Sequence, residues 1–192
     1  KQICNFCPRT GESAKLDDLR ERMASVVTEG ERALVFSQYT DDRFGVQRIV
    51  RELAPFKPLG YTGALSQHER EQVIDRFRRE ADHRALVLSL RAGGVGLNLQ
   101  EASYVFHFDR WWNPAVERQA EDRTHRMGQT RPVFVYIYTC VNTIEERVAL
   151  ILAEKQALFD EVVDTTSIDL KTALNLQDLL ALFGLQQPPT TK

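Results

Sequence analysis

Four short apolar runs, with one mixed strand candidate at Lys57 to Tyr61, limit what this chain can fold into: Ala33 to Phe36, Ala85 to Leu88, Tyr104 to Phe108 and Val133 to Tyr138. Each is too short for a helix. Bounded by polar residues and, in the last two, rich in β-branched and aromatic side chains, they suit strands of a parallel sheet buried on both faces. Helical periods lie between them. Lys15 to Thr28 places Leu16, Leu19, Met23, Val26 and Val27 on one face and closes at Gly30. Asp41 to Leu53 repeats the period through Phe44, Val46, Ile49, Val50 and Leu53 until Pro55 stops it. Ser66 with Glu69 forms a capping box ahead of Val73, Ile74 and Phe77. This alternation predicts an α/β domain with a mainly parallel central sheet and helices on both faces. Ligands of such sheets gather at the carboxyl ends of the strands, so the turns after Phe36, Leu88 and Phe108 are expected along one working edge.

The 192 residues are enough for one core with a small appendage, and the expected division is a main domain at 1–140 and a helical brace and tail at 141–192. The helical pattern resumes from Thr143 to Val163, a short helix is expected at Asn175 to Phe183, and Pro188 and Pro189 open a frayed end. Starting at Lys1 in mid-phrase, the chain reads as a piece of something larger. It has no run of about eighteen apolar residues and no charged-then-apolar leader, so a soluble, cytoplasmic protein is expected. The formal charge is −2, but residues 141–192 hold eight acids against four bases, which leaves 19 acids and 21 bases before them. Any basic face is therefore local. Cys4 and Cys7 have the spacing of half a zinc site. No second pair at short spacing follows, so packing or a loop is the expected role.

The stretch from Ser89 to Arg131 concentrates the chemistry. Gly93, Gly94 and Gly96 follow an apolar run directly, where backbone N–H groups can approach a phosphate, and a tight turn is the plainer alternative. No lysine follows a glycine anywhere in the chain, so it holds no Walker A loop. Asn113 and Pro114 are an N-cap and first-turn proline. On the helix they start, Gln119, Arg123 and Arg126 fall within an arc of about 60°, beside an apolar stripe of Val116, Ala120, Thr124 and Met127. Two guanidiniums at the rim of a packed helix suit phosphate charge; a solvated face paired with Glu117, Glu121 and Asp122 is equally compatible with the spacing. Of adjacent Trp111 and Trp112, one is expected to face a cleft or partner. Asp160 and Glu161 imitate a Walker B ending but continue a helical period, and read as helix surface.

Taken together, these segments resemble the SWI/SNF-type branch of superfamily-two helicase-like DNA translocases. Ala33 to Tyr39 resembles motif IV, Ser89 to Leu99 motif V and Gln119 to Gln129 motif VI, with Asp109 to Pro114 between them. Lys1 to Asn5 is similar to the start of the family's second lobe, and Asn142 to Leu158 to its bracing helix. The resemblance implies the C-terminal RecA-like motor lobe of a DNA-dependent ATPase, with ATP and Mg2+ held mainly by an N-terminal lobe and double-stranded DNA as partner. Arg123 and Arg126, with Gln119, would be the catalytic arginine group. Gly94, Gly96 and Asn98 would face the nucleotide; Ser37, Gln38, Gly63, Ser89 and Arg91 would follow the DNA backbone. Isolated from its partner lobe, the chain is expected to be inactive. A non-catalytic DNA- or protein-binding module and a lobe of a strand-separating helicase are the competing expectations. The chain departs from the family pattern at Ala64 and Leu65, where a hydroxyl residue is usual, at Asn5-Phe6-Cys7-Pro8, where the proline is shifted by one, and at Arg91, often a lysine.

Overall fold

All four apolar runs and the Lys57 to Tyr61 candidate form strands, and every pairing between them is parallel. The structure is a computed structural model that describes residues 2–90, 92, 97–111, 132–151 and 153. The strands are β1 (Ala33–Ser37), β2 (Leu59–Tyr61), β3 (Ala85–Ser89), β4 (Tyr104–His107) and β5 (Phe134–Ile137), in the order β2-β3-β1-β4-β5. Strand β1 is the pivot: the chain builds outward from it to β3 and β2 on one side and to β4 and β5 on the other. The described helices are α1 (Gln2–Asn5), α2 (Ala14–Thr28), α3 (Val46–Glu52) and α4 (Gln67–Arg79), and residues 144–151 are helical as well.

Alternation along the strands splits the apolar side chains into two cores. Val35, Val87, Phe106 and Phe108 face Leu19 and Met23 of α2 and Ile49 of α3; Leu34, Phe36, Leu86, Leu88 and Val105 face Ile74 and Phe77 of α4. The central strands β1 and β3 are buried along their whole length. A continuous apolar run is the sequence of a strand with a core on each side, which is why these two runs carry no polar alternation. Strand β5 lies at one edge of the sheet; its Phe134, Val135 and Ile137 stay exposed, while Tyr136 stacks on Phe106 with ring centroids 5.1 Å apart.

Element ends follow local chemistry. Ser13 caps α2 by accepting from the Leu16 N–H, and Gly30 reverses the chain at φ +77 after it. The helix expected from Asp41 begins only at Val46, because the Asp41 carboxylate accepts from the N–H groups of Arg43 and Phe44 and holds them in a turn. Lys57, left-handed at φ 47 after the 3-10 turn Ala54–Phe56, delays β2 to Leu59. The capping box on α4 is complete: Ser66 Oγ accepts from Glu69 N–H and Glu69 Oε2 accepts from Ser66 N–H at 2.7 Å. The expected helices after Asn113 and at Asn175 to Phe183, and the Thr143 to Val163 helix beyond residue 153, lie outside the described residues, as do Trp112, Asp160 and Glu161.

Two outcomes test this reading. A Cβ on Gly45 would lie 2.4 Å from the Tyr39 carbonyl carbon. Gly45→Ala should therefore push the loop after β1 off α3 and cost roughly 1–3 kcal/mol, seen as a lowered melting temperature. Hydrogen bonds from the Ser66 side chain and backbone hold the Glu69 carboxyl below its ordinary value. A depressed carboxyl stabilises above its unfolded pKa and loses that contribution as pH falls through the folded one. Glu69→Gln should melt lower than wild type at pH 7 and converge with it below about pH 4.

Candidate functional site

The carboxyl ends of the strands carry most of the described candidates. Ser37 and Ser89 end β1 and β3 as register partners, and Gly63 follows β2 on the next strand over. With neighbouring strands about 4.8 Å apart, Gly63, Ser89 and the β1 end form a line about 10 Å long. Leu90 N–H donates to the Ser37 carbonyl at 3.0 Å and Phe108 N–H to the Phe36 carbonyl at 2.9 Å, so the turns after β1, β3 and β4 leave the sheet side by side. Gly63 is exposed with nothing within 4 Å of a built Cβ, and its carbonyl accepts from Arg70. Thr62, immediately before it, is the hydroxyl residue of this turn, since Ser66 is spent on the α4 cap. Ser89 is buried, and its Oγ accepts from Ala92 N–H at 3.4 Å, opening the turn that leads to Gly94 and Gly96.

Ser37 is fully buried and its hydroxyl points inward, donating to Asp109 Oδ2 at 2.6 Å. Gln38, the residue just after β1, is half-buried, and its side-chain amide donates to the Arg110 carbonyl at 3.3 Å. Asn98 is exposed, with its carbonyl accepting from Arg78 at 2.7 Å. It lines, with Tyr61, Leu97 and α4, a groove of about 580 Å³. Arg91, Gly94, Gly96, Gln119, Arg123 and Arg126 lie outside the described residues. Trp111 packs partly buried against the α4-side core.

Beneath the edge lies a cluster of buried polar groups that periodicity did not reveal. Asp109 is fully buried just past β4. Gln38 N–H donates to its Oδ1 at 2.9 Å, and Ser37 Oγ and Asn5 Nδ2 to its Oδ2. Burial pushes the Asp109 carboxyl up, and the hydrogen bonds from Ser37, Gln38 and Asn5, followed by the Lys15 charge, offset part of that rise. Lys15 Nζ donates to Asn5 Oδ1 at 3.3 Å, the Phe108 carbonyl at 3.0 Å and Glu145 Oε2 at 2.7 Å, with Lys15 and Glu145 only 5% and 0% exposed. The cluster thus joins α1, α2, the β1 and β4 turns and the helical segment at 144–151. Burial, followed by the Asp109 charge, pushes Tyr39, on the same loop as Gln38, up to about 12 and keeps its hydroxyl neutral. Two signals were present in the sequence. Lys15 stands four residues before Leu19 on the apolar stripe of α2, and Asp109 directly follows a buried strand.

The geometry is a parallel sheet whose carboxyl edge brings Gly63, Ser89 and the β1 turn together over a buried polar and ionic cluster. Residues 14–128 match the family described as helicase conserved C-terminal domain. The chain belongs to that family. More narrowly, it is a SWI/SNF-type superfamily-two C-terminal lobe, with the RecA-like architecture its motifs implied. It is 40% identical over 175 residues to the Bacillus subtilis (strain 168) protein YwqA, whose name describes an ATP-dependent helicase/translocase; the match covers 91% of this chain and 19% of that one. The Sulfolobus solfataricus SWI2/SNF2 ATPase core in complex with dsDNA is similar at a TM-score of 0.70 and 30% identity, over 97% of this chain and 40% of that one. The C-terminal domain of that ATPase gives 0.66 and 30%, over 97% and 78%. This helicase lobe spans a fifth or less of the length of the curated relatives it matches.

Removing Lys15 would leave the buried Glu145 carboxylate without its cation, and Asn5 Oδ1 and the Phe108 carbonyl without their donor. Lys15→Met should cost about 3–5 kcal/mol, measured by urea unfolding, whereas Arg79→Met on the exposed face of α4 should change stability by less than about 0.5 kcal/mol.

Proposed function

We propose that the chain is the C-terminal motor lobe of an ATP-dependent double-stranded DNA translocase. The observation that carries this is the line of Gly63, Ser89 and the β1 turn along the open edge of a SWI/SNF-type lobe. Small residues and backbone N–H groups at that edge let a phosphate backbone come close, and contacts of this kind give affinity without reading sequence. Gln38, Gly63, Ser89 and Arg91 are assigned to the DNA side. With its hydroxyl committed to Asp109, Ser37 serves that side by holding the loop of Gln38 in place. Gly94, Gly96 and Asn98 are assigned to the nucleotide cleft.

Arg123 and Arg126, beside Gln119, are assigned to the γ-phosphoryl group of ATP held by the N-terminal lobe. Planar, permanently charged guanidiniums stabilise the charge that spreads over the transferring phosphoryl oxygens, and they do so only when the lobes close. Mg2+ neutralises the same charge when bound. The one group of three potential metal ligands among the described residues contains two thiols, a poor match for that hard cation, so magnesium is assigned to the other lobe. Closure and reopening of the two lobes, with DNA gripped at this edge, would move the duplex.

Three measurements on the full-length protein test the reading. Arg126→Ala should lower DNA-stimulated ATP turnover by roughly 10³- to 10⁵-fold with an unchanged circular dichroism spectrum; a variant that unfolds would instead give Arg126 a packing role. Arg91→Ala should weaken binding equally across duplex sequences and reduce the slope of log affinity against log salt by about 1. The 192-residue lobe alone should not hydrolyse ATP, and DNA-stimulated turnover by it would sink the two-lobe mechanism.

A further inference from the structure

The buried cluster has a second end, which the motor mechanism does not use. Cys4 on α1 and Cys140 after β5 are 136 residues apart in sequence, yet Cys140 Sγ contacts the Cys4 carbonyl at 3.3 Å. The two Sγ atoms and a carboxylate oxygen of Glu145 all lie within 4.8 Å of one another. Glu145 is fully buried. Its Oε2 accepts from Lys15 and from Cys140 N–H, but its Oε1 has no hydrogen-bond partner. A buried carboxylate oxygen normally finds a donor or a cation. The carboxyl group stands beside two sulfurs, and a cavity of about 490 Å³ lined by Cys4, Cys7, Glu12 and Cys140 connects those sulfurs to solvent.

We propose that Cys4, Cys140 and Glu145 form a binding site for a thiophilic divalent cation, Zn2+ by preference. Two thiolates and one carboxylate are a borderline-soft donor set of the kind that selects zinc over magnesium or calcium. The three ligand atoms are already close. Tetrahedral zinc with bonds of about 2.3 Å to sulfur holds its sulfurs about 3.8 Å apart, so ligation needs the cluster to contract by roughly 1 Å or less. The fourth position opens into the cavity, from which water completes the shell. The charge balances as well. Zn2+ enters as both thiols lose a proton to solvent through the cavity, so two positive charges replace two and the buried cluster keeps its net charge. Lys15 stays on Oε2 throughout, and Oε1 gains the partner it lacks. The bound ion would tie α1 to the segment after β5.

The test uses the full-length protein, reduced, stripped with a chelator and titrated with Co2+ and then Zn2+, alongside Cys4→Ser and Cys140→Ser. The difference between wild type and each variant isolates this site from any other. One equivalent of Co2+ should give thiolate-to-cobalt absorption in the near ultraviolet and visible d–d bands in wild type. One equivalent of Zn2+ should abolish both. Each variant should lose one equivalent of binding and keep the circular dichroism spectrum of the metal-free protein, and Zn2+ should raise the melting temperature of wild type alone. Wild-type absorption no greater than that of Cys140→Ser would overturn the proposal. So would a Cys4–Cys140 disulfide in non-reducing peptide maps with no metal equivalent bound after reduction, which would assign the pair to redox chemistry.

Discussion

The lobe depends on a lysine kept out of water. Lys15 sits on the inward stripe of α2 at 5% exposure, and it is tolerable there only because Glu145, Asn5 and the Phe108 carbonyl surround its ammonium group. Asp109 balances the same pocket from the other side and fixes the loop after β1 through Gln38 N–H and Ser37 Oγ. Taking these charges from water is expensive, and the geometry has to be close to ideal to offset it. Each element of the cluster is therefore tightly placed relative to the others. Apolar packing alone tolerates sliding, whereas a hydrogen-bonded ionic cluster does not.

That rigidity sits where an α/β sheet would otherwise open its crevice. The sheet order pivots at β1, and the carboxyl ends of β1 and β4 are the place where such folds commonly bind a ligand. Here the position is filled by the chain's own Asn5, Ser37, Lys15 and Asp109. Beside it, the described surface of the edge is made of Gln38, Gly63 and Arg110. In the proposed function this edge is the DNA side.

Most of the fold was legible because its signals are local. Runs such as Ala85 to Leu88 and stripes such as Leu19, Met23 and Val26 report burial within a few residues, and Ser66 with Glu69 reports a helix start within four. Errors came where a side chain competed with the backbone. Asp41 held two N–H groups out of the expected helix, and Lys57 took a left-handed turn before β2. The buried support under the candidate edge was not legible in the sequence. Lys15 and Glu145 are 130 residues apart, and Asn5 and Asp109 are 104 apart, so no spacing rule connects them. For the same reason Cys4 was read with Cys7, its sequence neighbour, whereas the fold sets it beside Cys140.

The long reach of the Lys15 to Glu145 pair also orders events in time. Residue 145 leaves the ribosome well after α2, β1 and β3 have been made, so until then the Lys15 ammonium has only Asn5 Oδ1 and the Phe108 carbonyl to accept from it, and no counter-charge from Glu145. Closing so large a loop is slow and is rewarded only at the end. A nascent lobe that stops before residue 145 can already hold its loop of Gln38 through Asp109, while Lys15 still lacks its carboxylate.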